Sequence, residues 1–220
     1  GYIYEDGKIA GVKVHDVLNH TTYEVMADYV VNASGPWSDQ VAMLEHKPES
    51  LKRIVLSKGV HIVVPFNRLP IKQPVYFENR SDQRMIFAIP HWDYTYIGTT
   101  DTAFAGEMDL PTANHEEVSY LIKCIGQVFP KAHISEQDVR STWAGIRPLV
   151  FEKGKSLSEL SRKDEVFKST SGLISIVGGK LTTSRQLAEE AAAAVLASLD
   201  KLPSKNSRER AIPGGQDSVS

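Results

Sequence analysis

Residues 172–199, GLISIVGGKLTTSRQLAEEAAAAVLASL, constrain the fold more than any other stretch of the chain. An apolar run from Leu173 to Val177 stops at Gly178-Gly179. Lys180, Leu181, Thr182 and Thr183 follow, and then an alanine-rich segment with helical spacing. A run of this kind suits a strand buried on both faces, so it demands covering layers. The strand-to-helix junction exposes unpaired backbone N–H groups at the positive end of a helix, a seat for an anion or a polarised carbonyl. Glycines there let a partner approach the backbone closely. The junction reads either as a ligand seat, with Lys180 and a threonine hydroxyl in it, or as a well-capped helix after a tight turn.

The rest of the chain is mostly strand-like. YIYEDGKIAGVKV reads as a hairpin closed at Asp6-Gly7, a favoured turn pair, and YEVMA adds a third strand to an antiparallel meander over residues 1–27. A second apolar run, at 29–33, breaks at Ser34-Gly35-Pro36, and Pro36 suits the first turn of a helix reaching about Leu44. RIVLSKGVHIVVPF reads as two β-rich runs separated by Ser57-Lys58-Gly59. Three more strands follow, with turns near Ser81-Asp82 and Trp92-Asp93. Asn114 caps a helix over 114–128 with Glu116 and Glu117 in its first turn. The segment 138–151 is strand-like, and 165–179 is a hairpin feeding a long helix over 182–199. Strand groups separated by single helices indicate an α+β fold, or an α/β protein lacking part of itself. The chain opens at Gly1 without Met and enters strand-like sequence at once, which reads as the middle of something longer.

Composition removes several classes. A net charge of −2 gives no reason to expect nucleic acid as a partner. The single cysteine, Cys124, excludes a disulfide framework and a cysteine-based zinc site, and its apolar helical context suits a small buried side chain. The other histidines show no ligand spacing, so no metal site is expected. No apolar run approaches the roughly 18–20 residues of a membrane span, and no signal-peptide pattern opens the chain, so the default compartment is the cytoplasm.

Four further stretches carry groups with chemical potential. Arg147, between Gly145 and Pro148 at an expected strand end, offers a planar fork for a phosphate or carboxylate, or else a surface ion pair. His61, just ahead of Ile62-Val63-Val64, is a structural imidazole or a general base. Asn32-Ala33-Ser34-Gly35-Pro36-Trp37 is a strand–glycine–helix turn where backbone can approach a cofactor. Gly98-Thr99-Thr100-Asp101 is a further candidate, and each of these two stretches reads either as a structural turn or as a binding turn. No G-x-G-x-x-G occurs in the chain, so a dinucleotide fold starting within it is not expected.

The stretches VVNASGPW, SKGVHIVVP, IPHWDYTYIGTTD, TWAGIRPL, SELSRKDE and SIVGGKLTTSRQLAE occur together, in this order, over about residues 2 to 200. In that combination the chain resembles the FAD-dependent glycerol-3-phosphate dehydrogenases and the related α-glycerophosphate oxidases. The resemblance implies the central part of such an enzyme: a mixed, mostly antiparallel sheet of a flavoprotein substrate domain plus remnants of an FAD-binding α/β domain. Residues 1–45 and 166–200 would belong to the FAD-binding domain, 46–165 to the substrate domain, and 201–220 to a linker or tail.

The implied reaction oxidises sn-glycerol 3-phosphate to dihydroxyacetone phosphate by hydride transfer to the flavin. By the same resemblance, Arg147 and Arg162 would bind the phosphate and His61 would act on the reacting hydroxyl. Lys180 would lie between flavin and substrate. Gly178, Gly179, Leu181 and Thr182 would hold the flavin edge, while Ser34, Gly35 and Trp37 would lie beside the ADP half. Electrons would leave to a quinone or to oxygen, with peripheral attachment to the inner face of the cell membrane among the options. With no Gly-rich loop, the isolated 220-residue chain is expected to purify nearly colourless and inactive. Two alternatives stay open: a non-catalytic binding module derived from the fold, and an amine or amino-acid oxidase of the same flavoprotein group.

Overall fold

The computed structural model describes residues 1–48, 53–154, 160, 164–201 and 207–209. In chain order its strands are β1 (Tyr2–Glu5), β2 (Lys8–Asp16), β3 (Thr21–Met26), β4 (Val31–Asn32), β5 (Ile54–Pro65) and β6 (Val75–Glu78). They continue as β7 (Met85–His91), β8 (Tyr94–Gly98), β9 (Thr102–Ala103), β10 (Ser141–Val150), β11 (Asp164–Lys168) and β12 (Ile174–Gly178). The helices are α1 (Ser38–Ala42), α2 (His115–Val128) and α3 (Ser184–Ser198). Two compact units result: one holds residues 1–54, 149–153 and the described residues from Leu160 onward, the other Val55–Pro148 and Gly154.

In the first unit β1, β2 and β3 form the expected antiparallel meander. Its first turn has Asp6 and Gly7 at φ 47° and 77°, the left-handed pair that a two-residue hairpin needs between Glu5 and Lys8. A second three-stranded sheet runs β11-β12-β4, with β11 antiparallel and β4 parallel to the central β12.

Here the sequence reading needs correction. The run at 29–33 yields only two strand residues; β4 is an edge strand, and Val31 is 41% exposed. The buried member is polar. Asn32 donates through Nδ2 to Ser38 O (2.9 Å) and Ser175 Oγ (3.3 Å), and its Oδ1 accepts from the Ser34 hydroxyl at 2.6 Å. The amide therefore ties two strands and the following turn together, a task that an apolar pattern does not reveal. Asn32→Ala strands these partners and is expected to cost about 1–3 kcal/mol. Denaturant unfolding of the two proteins measures it.

In the second unit the sheet order is β10-β5-β8-β7-β6, with β9 also paired to β5. The pairs β5–β8, β5–β9, β6–β7 and β7–β8 are all antiparallel. The stretch 53–66 contains one twelve-residue strand rather than two, because each apparent break is satisfied in place. Ser57 donates to Asp101, and Lys58 donates to Thr112 O (2.8 Å) while pairing with Glu117 at 2.9 Å. Glu117 also closes the expected capping box with Asn114, which starts α2.

Side chains alternate across the pleat. Val60, Ile62 and Val64 of β5 join Ile86, Ala88 and Ile97 on the face that packs against Leu121, Cys124 and Ile125 of α2. Cys124 is a buried member of this core. The opposite face of β5 carries Ser57, Gly59 and His61.

Beside this core Asp138 accepts from Arg68 Nε at 2.6 Å and from its Nη2 at 3.1 Å. The guanidinium fork, with the Ser135 N–H, holds the Asp138 carboxyl down at about 2 against an ordinary 3.8. A carboxylate lowered on folding stabilises above its ordinary value and loses that contribution as pH falls towards the folded one. Thermal melts of wild type and Asp138→Asn should therefore differ at neutral pH and converge near pH 2.

Candidate active site

The α2-free face of the second unit collects the reactive side chains. His61 of β5 stacks on Trp143 of β10, with centroids 4.9 Å apart and planes 15° apart, and Tyr96 of β8 meets the imidazole edge-on at 6.3 Å. Register explains the grouping: His61 lies opposite Gly98 of β8, so residues 96 and 98 share its face. A cis peptide joins Gly98 to Thr99. Two positions either side of Gly145 on β10 are Trp143 and Arg147, on that same face.

Arg147 lies inside β10, not at a strand end as its glycine and proline neighbours suggest. Its Nη2 donates to Thr99 Oγ1 at 2.9 Å and its Nη1 to Thr100 O at 3.2 Å, while Asp101 Oδ1 stands 3.6 Å from Nη1. About a quarter of the side chain (23%) stays open to solvent. The guanidinium is therefore held from one side and presented on another.

Burial, and secondarily the Arg147 charge, hold the His61 imidazole below its ordinary 6.5. Both causes favour the neutral ring. Its Nδ1 is buried without a hydrogen-bond partner among the described residues. A neutral imidazole beside a fixed guanidinium can accept a proton from a substrate whose anionic group is held by the cation.

The first unit carries the Ser34-Gly35 and Gly178-Gly179 turns. Because β12 and β4 are parallel neighbours, Ile174 opposite Val31 and Ser175 opposite Asn32, the turns that follow them leave from the same sheet end. Carboxyl ends of parallel strands are where α/β sheets bind ligands. After β4, Gly35 sits at φ 60° with nothing within 4 Å of where a Cβ would stand; Ser34 precedes it and Trp37 is 37% exposed. After β12, Gly178 and Gly179 take φ 77° and 85°. A 3-10 turn over Leu181–Thr183 then leads into α3, which starts two residues later than the expected helix. The atom nearest a Cβ on Gly179 would be Leu187 Cδ2, at 3.0 Å, so this glycine admits α3 itself. Thr183 donates its hydroxyl to Lys180 O at 3.1 Å, leaving Thr182 and Lys180 exposed and Leu181 91% exposed.

Thus the structure groups His61 with Arg147 on the second unit, and Ser34, Gly35 and Trp37 with Gly178, Gly179, Lys180, Leu181 and Thr182 on the first. Arg162 lies outside the described residues. The sequence reading gave no role to Trp143 or Tyr96, and it singled out Thr99 and Asp101 only within the 98–101 stretch, without linking them to Arg147. Trp143 was within reach, since alternation puts it on the Arg147 face. The contacts of Thr99 and Asp101 with Arg147 follow from tertiary pairing alone. Among the described residues no cluster of three His, Cys, Asp or Glu could hold a metal, and no helix is long and apolar enough to cross a membrane.

Comparison with known proteins agrees with the resemblance. The chain is 46% identical over 183 residues to the aerobic glycerol-3-phosphate dehydrogenase of Staphylococcus saprophyticus, covering 83% of this chain and 33% of that protein. It is 46% identical over 187 residues to the Bacillus subtilis protein of the same name, covering 85% and 33%. It thus spans about a third of the length of these curated relatives. The crystal structure of the Bacillus halodurans glycerol-3-phosphate dehydrogenase, complexed with FAD, superposes with a TM-score of 0.82 at 42% identity, covering 94% of this chain and 39% of that one. Glycine oxidase from Geobacillus kaustophilus, at a TM-score of 0.54 and 18% identity over 94% of this chain and 50% of its own, shares the fold alone. Residues 2–192 match the family described as DAO, FAD dependent oxidoreductase. On that match over most of its length, the chain belongs to the DAO family of FAD-dependent oxidoreductases.

Proposed function

We propose that this chain is the central part of an FAD-dependent glycerol-3-phosphate dehydrogenase, its second unit binding substrate and its first unit contributing to the flavin site. The observation that carries the reading is the neutral His61 beside a held, partly open Arg147 on one sheet face. Arg147 takes the phosphate of sn-glycerol 3-phosphate through its planar fork. His61 accepts the C2 hydroxyl proton, so the C2–H electron pair leaves as hydride and dihydroxyacetone phosphate forms. Bound FAD supplies the hydride acceptor.

The residues of the first unit suit such a cofactor. Open space at Gly35, beside Ser34 and Trp37, would admit the ADP half. Exposed Lys180, Leu181 and Thr182 after Gly178-Gly179 would meet the flavin edge, with Lys180 and the α3 N-terminus favouring negative charge there. Electrons then pass to a quinone or to oxygen, a quinone route bringing the enzyme to the membrane surface. Names and identity of the relatives favour a phosphorylated polyol over an amino acid as substrate. Steady-state turnover of the full-length enzyme with glycerol 3-phosphate, set against glycine and proline, tests the assignment.

A further inference from the structure

The Arg147 guanidinium occupies the space that a side chain at position 59 would fill. A Cβ on Gly59 would stand 2.5 Å from Arg147 Cζ and 2.6 Å from Nη1, and the three nearest atoms to it all belong to that guanidinium. Gly59 is the one glycine of β5, and a glycine inside a strand marks a close approach. The guanidinium lies against bare backbone, its Nη atoms bonded to Thr99 Oγ1 and Thr100 O with the Asp101 carboxylate 3.6 Å away. Asp101 is itself fixed, by Ser57 at its side chain and by Arg84 Nη1 on its carbonyl at 2.9 Å.

We infer that Gly59 is a positioning residue that sets substrate specificity, its missing side chain being the seat that fixes where Arg147 presents its charge. The inference rests on the reading of Arg147 as the phosphate ligand. An added methyl group meets the far end of a flexible side chain, so the guanidinium moves while the strand stays. The displaced fork loses its bonds to Thr99 and Thr100 and meets the anion from a different direction.

Two readouts test this. In the chain itself, the His61 imidazole is titrated by NMR in wild type, Gly59→Ala, Arg147→Ala and the double variant. Arg147 contributes to holding His61 low, so Arg147→Ala raises its titration midpoint. Gly59→Ala, which carries no charge, should shift it in the same direction as Arg147→Ala. In the Arg147→Ala background the same substitution should change nothing, and that double variant should fold normally. In the full-length enzyme, Gly59→Ala should raise KM for glycerol 3-phosphate about tenfold, the scale of one weakened charge-assisted hydrogen bond, with kcat falling less. Weak activity on unphosphorylated glycerol should stay put. A Gly59→Ala effect on His61 of equal size with and without Arg147, or none in either, overturns the seat. Coupling on His61 with full glycerol 3-phosphate activity in Arg147→Ala would retain the seat and overturn the phosphate reading instead.

Discussion

His61→Ala in the full-length enzyme should lower kcat for glycerol 3-phosphate by about two to four orders of magnitude, the usual contribution of a positioned general base. KM should change little, because the proposed phosphate contact lies at Arg147. Unphosphorylated glycerol should lose turnover in the same proportion, since its C2 hydroxyl meets the same imidazole. The pH dependence carries a sign. A base must be unprotonated to act, and burial plus the Arg147 charge hold His61 below 6.5. The acid limb of kcat/KM should therefore fall below the pH at which a free histidine titrates, and His61→Ala should erase it. Arg147→Ala should move that limb upward, because one of the two causes of the low value is gone. Flavin content is measured first in each variant. Wild-type turnover in His61→Ala would make the ring a packing group for Trp143.

Arg147→Lys should lower kcat/KM for glycerol 3-phosphate by about one to two orders of magnitude, although the charge is kept. A lysine offers a point charge where the arginine offers a planar fork, and charge-assisted hydrogen bonds are worth roughly 1.5–3 kcal/mol each. The geometry around the residue sharpens the expectation. Thr99 Oγ1 and Thr100 O each take one nitrogen of the fork, which fixes its plane before substrate arrives. An ammonium group cannot reproduce that plane. Activity on unphosphorylated glycerol should hardly change. Steady-state kinetics on both substrates separates the two outcomes, and unchanged kcat/KM for the phosphorylated substrate would make Arg147 a structural residue.

Local pattern carried much of this molecule. The Asp6-Gly7 hairpin, the Asn114 cap and the strand–Gly-Gly–helix junction were legible because each depends on a few adjacent residues. The continuity of β5 was not. Ser57, Lys58 and Gly59 look like a break, and only partners distant in sequence (Asp101, Glu117 and Arg147) make them strand. The edge position of β4 was hidden for a related reason: an apolar pattern says that a strand is covered, not how many neighbours it has. Arg147 and His61 were visible as chemistry-bearing residues, but their nearness comes from strand register. The pairing of His61 with Gly98 and the close approach of the Arg147 guanidinium to Gly59 are facts of the sheet. The fixed plane of Arg147 depends on Thr99 and Thr100, nearly fifty residues earlier in the chain.

The central claim is that this sheet face serves a phosphorylated polyol rather than an amine or amino acid. It is tested most directly by anaerobic mixing of the full-length enzyme with glycerol 3-phosphate, glycine, sarcosine or proline while the flavin absorbance is followed. Rapid, complete bleaching by glycerol 3-phosphate alone, slowed in His61→Ala and needing far more substrate in Arg147→Lys, is the predicted result. Bleaching by an amine substrate, with glycerol 3-phosphate inert, would contradict it.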